Sequence, residues 1–257
     1  VTSDDFTWGS LNEIGWFPRR GFFDVGTLIV GSLIVTVIAM LVAWPLGVGS
    51  AIYLSEYAKP KVRRVLKPVL EILAGIPSVV LGFFALTVIS PDLVQGLFTD
   101  APQFNLLAAG LGVGILTIPL VASISEDALR SVPNALREAS EGLGARKKTT
   151  TVQVATPAAV SGLMAALIVG VSRAIGETMV VAIAAGASGG SLFTTDPLEP
   201  GQTMTAAMAS LATGTDQVRG ASNAFQSLFF VGLVLFVITL LLNILSERFV
   251  RRVRQRY

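Results

Sequence analysis

From Val25 to Ser55, between Asp24 and Glu56, the chain carries no charged side chain. A run of this kind constrains the fold more than any motif, because about 20 apolar residues let a helix cross the hydrocarbon core of a bilayer. Ile72 to Pro91, Ala101 to Ser125 and Gly220 to Ser246 are further uncharged runs of sufficient length. A fifth, Thr149 to Thr195, is interrupted only by Arg173 and Glu177. Its amphipathic start, Thr149 to Thr156, and its glycine-rich end, Gly186 to Gly190, leave room for one long helix of about 30 residues. Lipid offers no partner for a free backbone N–H or C=O, so only helices or closed barrels span it, and nothing here alternates with a period of two. The expectation is an all-α, polytopic helical membrane protein with five visible spans and no strands.

Composition narrows the chemistry. The chain is 14% charged with a mean hydropathy of +0.69. It has neither cysteine nor histidine, which removes thiol redox chemistry, disulfides, the usual zinc and haem ligands, and imidazole as a catalytic base. No catalytic residue, metal or cofactor is therefore assigned to this chain. No signal peptide is visible at its start.

Lysine and arginine counts orient the spans. Residues 56–71 carry five, residues 126–148 five and the tail after the last run five, whereas the intervening segments carry only Arg19, Arg20 and Arg219. Fifteen against three, alternating at each crossing, puts the 126–157 loop and the C-terminus in the cytoplasm. The basic residues sit where the insertion rule and anionic lipid favour them, so the net charge of +2 is no sign of nucleic-acid binding. Segments 1–24 and 187–219 then lie outside, and an outside N-terminus is easiest to understand if a sixth span precedes Val1. Pro45, Pro77 and Pro119 are expected to kink spans. Gly31, Gly47, Gly49, Gly82, Gly110, Gly112 and Gly114 are expected to permit close helix contacts.

Within the 126–157 loop lies the charged stretch REASEGLGARKKTT, residues 137–150. It approaches the phosphate-cradling pattern G-x-x-x-x-G-K-[ST], but Lys147 stands where the second glycine belongs, and no buried strand leads into it. Pro133 suits the first turn of a helix and Gly144 its end. Val132, Leu136, Ala139 and Leu143 form an apolar stripe, with Arg137, Glu138 and Glu141 on the other side. Two readings stand: a capped helix packed on the ends of the spans, or a docking helix whose small residues Ala139, Ser140, Gly142 and Gly144 admit another backbone.

Glu138-Ala139-Ser140, Gly144, and Val154-Ala155-Thr156-Pro157 resemble the EAA loop of ABC-importer permeases, E-A-A-x3-G-x9-I-x-L-P, with Ser140, Val154 and Thr156 departing from it. Three further stretches, Leu73 to Ser78 with Gly82, Ser172 to Met179, and Pro200 to Ala207, resemble phosphate-specific ABC importer permeases of the PstC type. That resemblance implies a MetI-like (type I) transmembrane domain in a bacterial cytoplasmic membrane. It implies half of a pathway completed by a sister permease of the PstA type, an ATPase dimer of the PstB type that binds ATP and magnesium, and an extracytoplasmic phosphate-binding protein of the PstS type. It makes Arg137, Glu138, Ala139, Ser140 and Gly144 a coupling helix that docks on the ATPase. The 187–219 segment becomes part of the surface that receives the binding protein, or otherwise a lid over the span ends.

Arg173 and Glu177, four apart, are expected to share a helix face and pair. Intramembrane charges face protein or water, so the pair is either a structural lock or part of a pathway. In the second reading Arg173 supplies a planar fork of donors for phosphate oxygens and Glu177 holds it and weakens its grip. Ser172 and Thr178 are lesser candidates, since such hydroxyls often bond their own backbone. Alternatives are a permease for a sulfate-like oxyanion, a secondary transporter coupled through Arg173 and Glu177, or an intramembrane enzyme. The secondary transporter lacks the internal repeat it should show, and the enzyme lacks a second catalytic group.

Overall fold

The structure, a computed structural model, describes residues 15–186, 189–213 and 222–253. Most of the acidic N-terminal segment, part of the 187–219 segment including Arg219, and Arg254 and Arg256 of the tail lie outside the described residues.

Helices α1 (Val25–Tyr57), α3 (Ser78–Leu97) and α4 (Leu106–Arg130) are each long and apolar enough to cross a membrane, as is Ala224–Leu245 within α10 (Ser222–Val253). A fifth crossing needs α6 (Lys147–Ala158) and α7 (Val160–Ile175) together, and these are bent by 69°. The remaining helices are α2 (Pro60–Ala74), α5 (Asn134–Gly142), α8 (Met179–Ala184) and α9 (Met204–Thr213).

The chain divides into two compact units. In the first (residues 1–39, 77–114 and 173–240), a two-residue hairpin pairs β1 (Trp16–Phe17) with β2 (Phe22–Phe23), around a turn closed by Gly21 at φ +80°. This corrects the expectation of no strands. The hairpin lies outside the spans, and pairs this short leave no alternation to read. Asp24 then starts α1 by accepting from the Gly26 N–H at 2.9 Å and the Thr27 hydroxyl at 2.6 Å, an N-terminal cap for donors a helix cannot satisfy itself. Trp16, Leu28, Met204, Ala207 and Val231 share one core, joining the hairpin to α1, α9 and α10. Gly82 faces Ile183, and Gly112 faces Ala85 and Val180, so closely that a Cβ at Gly82 would lie 2.9 Å from the Ile183 side chain.

The second unit (residues 40–76, 115–172 and 241–257) packs α1, α4 and α7 through Met40, Ala43 and Val121, and through Ala51, Leu129, Val132, Ala159 and Leu163. Gly47 lies against Val121, and Gly162 against Ala128. Gly49 makes no such contact: a Cβ there would meet nothing within 4 Å.

Three expectations on the spans change. Pro77 is not inside a helix; it caps α3, which starts at Ser78 rather than Ile72 because the chain turns at Gly75. Pro45 and Pro119 do lie within α1 and α4. The single long helix expected from residue 157 onward is instead bent after Ala158 and ends at Ile175. Pro157 has no N–H to donate and follows a widened turn, Thr151–Ala155, and both features kink helices. The Thr156 hydroxyl donates to the Thr151 carbonyl at 2.8 Å, meeting one of the backbone groups in this turn.

Candidate functional site

Two clusters contain the residues singled out from the sequence. The first is where α7 stops. Arg173 lies in its last turn and is exposed, and it makes no ion pair among the described residues. The helix ends two residues later, so Arg173 and Glu177 are not partners on one helical face. Glu177 is buried, 8% exposed, and its carboxylate caps the next helix: Oε1 accepts from the N–H groups of Met179 at 3.2 Å and Val180 at 3.4 Å. Its backbone is held as well, since the Thr205 hydroxyl donates to the Glu177 carbonyl at 2.7 Å. A carboxylate that needs donors once buried has taken two amides and the start of α8 in place of the guanidinium. The outcome is an exposed cation beside a break in the backbone, its charge not neutralised by the neighbouring acid.

Thr178, at the N-cap of α8, directs its hydroxyl to the Gly176 carbonyl at 3.4 Å, a weak contact two residues back. Ser172 donates across to Oδ1 of Asn243 on α10 at 3.1 Å, rather than to its own helix.

The second cluster is α5. Pro133 sits at its N-cap, one residue outside the first turn expected for it. At the other end Ala145 N–H donates to the Ser140 carbonyl at 3.1 Å and Gly144 N–H to the Glu141 carbonyl at 2.9 Å, with Gly144 at φ +84°. This 6→1 and 5→2 pair is the Schellman ending, whose left-handed position favours glycine. Val132 and Leu136 face inward against Ala51 and Leu163. The other half of the expected stripe does not pack: Ala139 is exposed and Leu143 is 90% exposed. Glu138 and Gly142 share that bare side, and a Cβ at Gly142 would meet nothing within 4 Å.

Arg137 turns away from that surface. Its guanidinium donates to both carboxylate oxygens of Glu56, at 3.2 and 2.8 Å, and to the carbonyls of Val132 and Leu129 at 2.7 and 2.8 Å. A planar fork with four of its five N–H groups engaged fixes α5 to the end of α1. Ser140 does the same toward α6, its hydroxyl 2.9 Å from that of Thr150. So Arg137 and Ser140 hold the helix, while Glu138 and Ala139 face outward with Leu143.

One centre escaped sequence reading. Glu126 of α4 is 1% exposed and accepts from Arg63 Nε at 2.7 Å and Lys67 Nζ at 2.9 Å, both on α2. Lys67 also reaches Asp127 at 3.0 Å. The hydrogen bond to Glu126 raises the Lys67 pKa above the ordinary lysine value, against the opposing effect of burial. The available signal was weak: Glu126 follows directly on the uncharged run ending at Ser125, one residue beyond where that span was taken to stop. Among the described residues no group of three or more His, Cys, Asp or Glu could hold a metal.

A helical membrane chain with a bare, capped helix projecting between two of its spans is matched over residues 43–255 by the family described as binding-protein-dependent transport system inner membrane component. This chain belongs to that family. Its relatives include the probable ABC transporter permease protein YqgH of Bacillus subtilis (strain 168), 36% identical over 93% of this chain and 77% of that protein. The phosphate transport system permease protein PstC 1 of Mycobacterium tuberculosis (strain ATCC 25618 / H37Rv) is 33% identical over 92% of this chain and 75% of its own length. Among solved structures, a chain of the inward-facing MetNI methionine ABC transporter superposes with a TM-score of 0.65, covering 97% of this chain and 100% of that one at 19% identity. The inner membrane component thus has the MetI-like helical fold and is a multi-pass membrane protein. Most of its EAA-like stretch, Glu138 to Gly144, is the exposed helix α5.

Proposed function

We propose that this chain is the transmembrane permease subunit of an ATP-driven importer of inorganic phosphate. It forms half of a pathway completed by a sister permease of the PstA type, and it is driven by an ATPase of the PstB type that carries the ATP and magnesium. One observation carries the reading: α5 is locked from behind by Arg137 on Glu56, yet presents Glu138, Ala139 and Leu143 with nothing against them. A helix so fixed transmits a push to α1 and α6 instead of yielding to it. Relatives named as phosphate transport permeases support the substrate.

In this reading the basic connecting segments and the C-terminus are cytoplasmic, α5 docks on the ATPase, and a phosphate-binding protein of the PstS type delivers the anion on the opposite side. Arg173 lies on the anion's path. Its donors match phosphate oxygens and are not already engaged by an acid. Glu177 serves by shaping the break that presents Arg173, and Thr178 and Ser172 are secondary contacts. A secondary transporter coupled through an Arg173–Glu177 pair is less well supported, since Glu177 is engaged with the start of α8.

The test is uptake of labelled phosphate into vesicles holding the assembled transporter, with sulfate as competitor. Arg173→Gln is expected to lower uptake at least tenfold while assembly and ATPase activity persist. Undiminished uptake would remove Arg173 from the path, and equal competition by sulfate would remove phosphate as the preferred anion.

A further inference from the structure

Helix α2 is a 15-residue amphipathic helix, too short to span a bilayer, and it buries none of its residues. Arg63 and Lys67 tie one flank of it to Glu126. The adjacent face is apolar and uncovered, with Val65, Val69 and Ile72 all exposed. Between that face and the end of α1 lies an apolar cleft of about 460 Å³, walled by Leu66, Val69 and Leu70 of α2 and by Leu46, Gly49 and Tyr53 of α1. That volume falls within the range of small-molecule sites. Gly49 keeps the floor open, because a side chain there would project into empty space. The α1 wall continues an exposed stripe of a membrane span that includes Leu41, so the cleft opens toward lipid rather than toward a closed interior.

The N-terminal end of α2 is strongly basic. Lys59, Lys61 and Arg64 are exposed and make no ion pair among the described residues, and the one acid of the helix, Glu71, lies near its other end. Lys59, Leu66 and Leu70 recur at i, i+7 and i+11, so this lysine lies along the face of the cleft wall, while Lys61 and Arg64, five and two residues before Leu66, lie around the other side of the same helix end. An apolar slot continuous with a lipid-facing stripe, headed by Lys59 and set at a basic helix end, has the chemistry of a phosphodiester headgroup with an acyl chain attached. We propose that the cleft between α1 and α2 is a binding site for one anionic phospholipid, its acyl chain against Gly49 and its phosphate over Lys59, with Lys61 and Arg64 adding longer-range attraction from the other side of the helix end. The site anchors α2, and through Glu126 the end of α4, to the bilayer.

The chain contains no cysteine, so Val69→Cys carries a fluorescent label at a single place in it. The full chain, in its assembled transporter, is placed in phosphatidylcholine vesicles containing either brominated phosphatidylglycerol or brominated phosphatidylcholine at equal mole fraction. Quenching by the anionic lipid is expected to exceed that by the zwitterionic one by about fivefold, the preference that one basic group near an anionic headgroup confers. Replacing Lys59, Lys61 and Arg64 by glutamine should level the two, and Gly49→Phe, which fills the cleft, should lower both. Equal quenching by the two lipids in the chain with its basic end intact would overturn the proposal. So would quenching by neither, which would mean that another subunit covers the face.

Discussion

Glu126 and Glu177 are both buried carboxylates in a membrane chain, and they are satisfied in opposite ways. Glu126 takes two cations from α2; Glu177 takes two backbone N–H groups at the start of α8. For Glu126 the cost of desolvation is offset by charge, so neutralising it has a larger effect than removing either cation. Breaking a fully buried pair costs about 3–5 kcal/mol, but Arg63 and Lys67 keep some contact with solvent and can rehydrate. Glu126→Gln is therefore expected to destabilise the protein by about 1–3 kcal/mol, and Lys67→Gln by less, since Arg63 still reaches the carboxylate. Thermal unfolding in detergent reads the order, and a larger loss from Lys67→Gln would contradict it. With the Lys67 pKa raised, the contribution of this lysine is fully present below the ordinary lysine value of 10.5 and is lost only as pH rises through the raised value. The contribution of Lys67 is thus constant across the neutral range. The Glu126 arrangement was not legible locally, because Arg63 and Lys67 lie 63 and 59 positions away; Glu177 caps amides two and three residues on, but the Thr205 hydroxyl that holds its backbone carbonyl comes from 28 positions away.

Elements were legible where their own ends carry the signal. Helix α5 was readable because Pro133 and Gly144 mark its limits by dihedral preference alone, independent of what packs on it. The stop at Ile175 was not, since an isolated glycine such as Gly176 costs a helix only about 1 kcal/mol and settles nothing without the tertiary contacts on Glu177. The bend after Ala158 lies between these cases: Pro157 was visible, but the widened turn before it was not. The ending of α5 gives a direct prediction. Gly144 has open space around it but a left-handed backbone, so a substitution is strained by about 1–2 kcal/mol without any clash. Gly144→Leu should loosen the Schellman bonds and uncouple ATP hydrolysis from uptake, leaving the subunit in the membrane. Gly144→Asn, which tolerates the left-handed region, should retain most of the coupling. Measured in vesicles, equal uptake in the two variants would show that the backbone at this point does not set the coupling.

At the scale of the molecule, four apolar helices and their order followed from uncharged run length, whereas the 69° bend that divides the fifth run, and which helices face inward, did not. Within its most apolar window α4 is 61% buried and α10 only 6%, although α10 is the more hydrophobic of the two. Hydropathy reports transfer out of water and not whether the neighbour is protein or lipid. The orientation of the whole chain rests on a different property, the unequal distribution of lysine and arginine among connecting segments. Asn134 at the start of α5 and Leu192 in the 187–219 segment are both exposed, and they fall on opposite sides under that rule. In a chain free of cysteine, Asn134→Cys and Leu192→Cys can be labelled separately in intact cells with a membrane-impermeant maleimide. Leu192→Cys is expected to react at once and Asn134→Cys only after permeabilisation, because fifteen basic residues on one side against three on the other outweigh any local departure. The reverse pattern would place α5 where no ATPase can reach it, and with it the energy input assigned to Glu138 and Gly144 would fail.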